Sequence, residues 1–236
     1  MKLQKIGLAA IGLCAAMSVM AADAVTDAMT AAYAPYRVAL FRTNSNAQAE
    51  SEQAIAQARQ SWQALMDQFS SRPAAPYDRD ARFADSLAQV AAVYNAAEVQ
   101  IKGRNLVQAH ETLEKARDLM AELRRRNGVI TYSDHMNAYH SVMEHVLGDA
   151  PKQMGEPQGM LLLMANVGTL DFLAGRLRTE APASVAADPA FAPAMQAVDT
   201  SLLALRQAVL QQNATLVRVA LDNLKKPYSQ LFLKFG

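Results

Sequence analysis

An all-α fold, an antiparallel bundle of about eight helices built from helical hairpins, is what the 236-residue sequence predicts. Three observations point there. Aromatic residues make up only 6% of the chain, while Ala, Leu, Met and Gln abound, a mixture that favours helix over sheet. Apolar residues recur at three-to-four spacing along most of the chain, and no stretch reads convincingly as a strand. The interruptions are short and carry Gly, Pro or Asn, so neighbouring helices are expected to fold back on one another.

The composition also excludes several classes. With 51% apolar and 19% charged residues, the chain can bury a core and does not read as a disordered polymer. Ten glycines and nine prolines exclude collagen-like and low-complexity chains. A formal charge of +1 offers no general attraction to nucleic acid.

The first element is an address. Lys2 and Lys5 precede a 15-residue apolar run, Ile6–Met20, and Val19-Met20-Ala21 presents a peptidase site. The run is shorter than the ~20 residues of a spanning helix, so a signal peptide cleaved after Ala21 is expected. Cys14 lies inside it, preceded by Leu13 rather than the small residue of a lipoprotein site. Residues 22–236 then contain no thiol, carry 21 basic against 22 acidic side chains, and form a periplasmic protein without disulfides. No later run is expected to span a bilayer.

The helices follow in order. Val25 to Leu40 places Met29, Tyr33, Tyr36 and Leu40 on one face, with Pro35 as a kink or break. After Asn44-Ser45-Asn46, a second helix covers Ser51 to Phe69 with Ile55, Trp62 and Leu65. Ser70–Asp80 is a Pro-containing loop. A third helix, Asp80 to Lys102, turns at Gly103 into a fourth that ends at Arg126. Asn127-Gly128 stops it as a left-handed cap would, and Ser133 or Asp134 caps a fifth, expected to end near Leu147. Gly148–Gly159 is the place for a boundary within an otherwise single all-helical domain, 22–236. Gly159–Leu177 is the most apolar helix. Two more cover Met195–Leu210 and Thr215–Leu224, before Pro227 and an apolar tail, Leu231–Phe235. The texture around Gly103 is that of a tetratricopeptide-type hairpin, but no second copy follows at that repeat's period.

All four histidines, His110, His135, His140 and His145, fall within 36 residues. His110 lies one position off the apolar seam of the fourth helix, with Glu114 one turn further on the same flank. The fifth helix carries three stripes: His135-Ala138-Val142-His145, Asn137-His140-Glu144, and Met136-Tyr139-Met143. Folding the two helices together with Arg126 facing Ser133 brings His145 level with Glu114. His110, Glu114 and His145, with Glu98 or Glu144 nearby, then form an expected first shell for a transition metal such as zinc, iron or copper. His135 lies about 15 Å from His145 along the helix and cannot share that ion. The competing reading is that these histidines are hydrogen-bonded interfacial residues.

Other motifs carry less. The methionines sit at core spacing among leucines. A c-type haem is excluded because Cys-x-x-Cys-His is absent, whereas a b-type haem held by His and Met needs no cysteine. Arg124-Arg125-Arg126 complements a helix C-terminus. Neither a phosphate loop, nor Gly-x-Ser-x-Gly, nor His-Glu-x-x-His is present, so catalysis has no specific support.

Three stretches are familiar together: Arg37–Asn44 (RVALFRTN), Leu123–His145 (LRRRNGVITYSDHMNAYHSVMEH) and Lys226–Gly236 (KPYSQLFLKFG). They resemble secreted all-helical proteins of Gram-negative bacteria. That resemblance implies an exported helical bundle and no particular activity. The topology also looks like that of periplasmic cytochrome-type bundles, an analogy of fold alone. Three functions are therefore expected to compete: a metal carrier or accessory factor, a metal-free interaction protein docking through its hairpins and apolar tail onto an exported partner, and a b-type haem electron carrier.

Overall fold

The computed structural model describes residues 23–236. The expected export signal over residues 1–21, and Cys14 within it, lie outside the described residues. Those described form an all-helical bundle: α1 (Ala24–Asn44), α2 (Gln48–Phe69), a 3-10 turn (Tyr77–Arg79), α3 (Phe83–Lys102), α4 (Leu106–Arg126), α5 (Tyr132–Gln153), α6 (Gly159–Thr179), the single turn α7 (Ala183–Ala186), α8 (Phe191–Leu210), α9 (Ala214–Asp222) and α10 (Lys225–Phe235).

Each long helix buries one stripe. On α4 it is Leu106, Ala109, Leu113, Ala116, Met120 and Leu123, the seam read from the periodicity. On α5 it is Met136, Tyr139, Met143, Val146 and Ala150, the third of the stripes its sequence offers. One cluster of buried side chains runs from Val25 to Phe235.

Chain neighbours pack together, with α1 on α2, α2 on α3, α3 on α4, α5 on α6, α6 on α8 and α8 on α9. The pair α4 and α5 is different. Their backbones do not pack closely: α1 lies on α4, while α10 lies on both α1 and α5. Buried polar groups bind the layers across these contacts. Tyr36 on α1 donates to the Leu113 carbonyl at 3.0 Å, Trp62 on α2 to the Leu87 carbonyl at 2.9 Å, and Tyr228 on α10 to the Met136 carbonyl at 2.9 Å.

Several boundaries differ from the sequence expectation, each for a physical reason. Pro35 does not break α1, because Ala32, Tyr33, Tyr36 and Ala39 around it are all buried and packing outweighs one missing hydrogen bond. Likewise α5 does not stop at Leu147 but continues through Gly148 and Pro151 to Gln153, since Val146 and Ala150 are held in the core. Its cap is Thr131, one turn from Asp134, whose carboxylate accepts from the Thr131 backbone N–H at 2.9 Å and hydroxyl at 3.0 Å.

The C-terminal tail is no free docking segment. Pro227 falls in the first turn of α10, where its missing N–H costs nothing, and Leu231, Phe232 and Phe235 are buried. Length and composition alone would let α6 cross a bilayer, which corrects the expectation that no later run is long enough. Its Leu163, Val167, Leu170, Ala174 and Leu177 nevertheless pack in the protein core.

Candidate functional site

A small cleft opens where α1, α4, α5 and α10 meet. Leu40, Phe41 and Asn44 come from α1, His110, Glu114 and Arg117 from α4, Asn137 and His140 from α5, and Lys225, Tyr228, Ser229 and Phe232 from α10. Its free space is ≈ 40 Å³, room for about two or three water molecules. Met136 and Met143, the methionines nearest in sequence to the histidines, face the core.

Glu114 is the centre of the cluster. Its Oε1 lies 3.8 Å from His110 Nε2, 3.5 Å from His140 Nε2 and 3.5 Å from an Arg117 Nη1. The His140 hydrogen bond, Arg117 and His110 together outweigh partial burial and hold this carboxyl at a pKa of about 2.

His110 is oriented from behind. Its Nδ1 lies 3.1 Å from the Leu40 carbonyl of α1 and 3.5 Å from the Thr43 hydroxyl. A carbonyl can only accept, so Nδ1 carries the hydrogen and donates. Burial lowers the His110 pKa, against the pull of Glu114, which favours the neutral ring. Its Nε2 faces the Glu114 carboxylate across 3.8 Å. His140 is placed by its ring, which stacks on Tyr228 with centroids 5.6 Å apart. Beside it Asn137 accepts from the Tyr33 hydroxyl at 3.3 Å, while its amide nitrogen is buried without a partner.

Of the residues expected to converge, His110 and Glu114 do. His145 does not: it is 61% exposed and faces Asp149 on its own helix at 3.3 Å. The reason is rotational. The core stripe of α5 is Met136-Tyr139-Met143-Val146, so the adjoining Asn137-His140 edge turns toward α4 and α10, and His145 turns to solvent. Since α1 and α10 sit against α4 and α5, the simple hairpin pairing of these two helices gives the wrong register. Neither flanking carboxylate joins the cluster. Glu98 pairs with Arg59 at 2.5 Å and Lys102 at 3.0 Å, and Glu144 pairs with Lys225 at 2.8 Å.

Arg117, Lys225 and Tyr228 were not singled out by sequence reasoning. Arg117 is legible only as an i+3 neighbour of Glu114, and the α10 residues only once their segment is recognised as a helix. Among the described residues, no three His, Cys, Asp or Glu side chains form a ready metal shell. No protein-family model, curated protein or solved structure matches the chain.

Proposed function

We propose that the protein is an exported helical-bundle carrier or accessory factor that takes up a transition metal, with zinc as the natural probe, through His110, Glu114 and His140. One observation carries this reading: two imidazole Nε2 atoms lie 3.8 and 3.5 Å from the same carboxylate oxygen. Ligand atoms around a tetrahedral zinc stand about 3.4 Å apart, and these two separations lie within a few tenths of an ångström of that. The hydrogen bond from His110 Nδ1 to the Leu40 carbonyl fixes the tautomer a metal needs, the arrangement metal-binding histidines generally show. Arg117 opposes binding, because its guanidinium shares the Glu114 oxygen.

Zinc titration of chelator-stripped protein, followed by calorimetry, tests the reading. His110→Ala and His140→Ala should each weaken zinc binding by about tenfold or more, judged from what even outer-shell changes do to zinc sites. His145→Ala should leave it unchanged, and Arg117→Gln should tighten it. A wild-type protein that binds no zinc, or a His145→Ala variant as damaged as His140→Ala, would overturn the proposal.

The metal-free interaction protein has a separate observation behind it. Leu161, Leu162 and Phe172 on α6 are large, apolar and exposed, as a docking face would be. That reading expects no zinc binding by any variant, so the same titration separates the two.

A further inference from the structure

The outer face of α6 lacks any partner among the described residues. Leu161, Ala165, Gly168 and Phe172 follow at spacings of four, three and four, and all four are exposed, Leu161 at 70% and Phe172 at 66%. The stretch Gly159–Leu170 contains no charge. Above Gly168 the space is open, with no atom within 4 Å of where a Cβ would stand.

We propose that this face is occupied by a second copy of the chain, in an antiparallel α6–α6 pair about a two-fold axis. The pattern is complementary to its own reverse. With Phe172 level with Leu161 of the second copy, Gly168 falls level with Ala165 of that copy. The backbones can then cross closely at the small centre, while the large side chains pack on either side.

Charge selects the same arrangement. Asp171 is held by Arg206 and Arg178 by Asp199 at 2.5 Å, both within the chain. Glu156, exposed in the turn leading into α6, makes no ion pair among the described residues. In the antiparallel register it comes within one residue of the level of Arg176 of the second copy. Among the described residues Arg176 pairs only with Glu180, at 3.3 Å near the helix end. A two-fold axis makes that cross-pair twice. A parallel pair would set Glu156 beside Glu156 instead. The inference is independent of the metal reading, since no residue of the cleft takes part.

Sedimentation velocity of the full chain over a concentration series tests it, with circular dichroism confirming that each variant stays helical. The wild type should dimerise reversibly, and Phe172→Asp should be monomeric throughout. Glu156→Arg and Arg176→Glu should each weaken the dimer by about tenfold, an exposed ion pair being counted twice and replaced by repulsion. The doubly reversed chain should recover most of that loss. Four results would overturn the proposal: a wild type that stays monomeric, a dimer indifferent to Phe172→Asp, a double reversal no better than the single ones, or a monomer that floats with phosphatidylcholine vesicles through Phe172. The last would assign the face to a lipid surface.

Discussion

Asp80 accepts from three places at once. Arg126 donates to its Oδ2 from Nε at 2.9 Å and Nη2 at 2.7 Å, Asn127 donates from its amide at 2.8 Å, and the Arg82 backbone N–H reaches Oδ1 at 3.0 Å. The carboxylate thereby ties the start of α3 to the end of α4, while Arg126 also donates to Ser86 at 2.8 Å. Burial raises its pKa, but the bonds from Arg126, Asn127 and Arg82 outweigh that and hold it below the ordinary Asp value. A depressed carboxylate stabilises the fold at pH values above its unfolded pKa, ~3.9. That stability is lost as the pH falls through the lower folded value. Asp80→Ala should cost about 2 kcal/mol at neutral pH, because charged hydrogen bonds are lost and Arg126 is left half-buried without this partner. Urea melts at pH 7 and pH 3 check it: the gap between wild type and variant should narrow at pH 3, and an equal gap at both would mean Asp80 carries no linked charge. Arg124, 3% exposed, is matched in the same way by Asp134 at 2.9 and 2.5 Å. In sequence the three arginines read as a helix-end charge run; Arg125 does pair locally with Glu122, but Asp134 for Arg124 and Asp80 for Arg126, the latter 46 residues away, are visible only in three dimensions.

At the scale of elements, two glycines separate turn chemistry from helix propensity. Gly128, just after α4, has φ +70°, and a Cβ there would meet nothing within 4 Å. The cost of Gly128→Val is therefore conformational alone and should be about 1 kcal/mol or more. Gly148, inside α5, has equally open space around it but ordinary helical backbone. Gly148→Ala should stabilise by about 0.5–1 kcal/mol. Thermal melts of the two variants should move in opposite directions; a shift in the same sense would contradict one of the two placements. The Asn127-Gly128 stop was readable because it is local chemistry, as were the long stripes of α3 and α4. The end of α5 was not, because burial of Val146 and Ala150 in the core overrides Gly and Pro locally. The site follows the same division. His110 and Glu114, one turn apart on one helix, could be paired from spacing. Choosing between His140 and His145 required the rotation of α5, which its packing against the next helix, α6, and the remote α10 sets.

For the whole molecule, the C-terminal helix is the closing piece. It packs on α1, α5 and α8, and Arg37 of α1 donates to the carbonyls of Phe232 and Gly236. Tyr33, Phe232 and Tyr228 form a run of ring contacts that ends on Tyr139, with centroids 6.4, 6.0 and 5.1 Å apart in turn. Four large side chains of α10 are buried, Tyr228, Leu231, Phe232 and Phe235. At roughly 1.5–3 kcal/mol each, an upper estimate because unfolded chains are already partly compact, their burial is comparable to the ~5–15 kcal/mol that holds a typical domain together. The same helix supplies one wall of the cleft through Lys225, Tyr228, Ser229 and Phe232. Fold and site should therefore fail together. A chain ending at Leu224 should show no cooperative thermal transition and should bind a hydrophobic dye, while Leu231→Ala should keep the fold at a cost of about 2–5 kcal/mol. Tyr228→Phe tests the coupling more finely. It deletes the hydroxyl bonded to the Met136 carbonyl and keeps the ring on which His140 stacks, so it should cost about 1 kcal/mol and leave the position of His140 unchanged. Calorimetric melts of the three chains give the ranking, and a truncated chain that melts at the wild-type temperature would show that α10 is an appendage rather than the piece that closes the bundle.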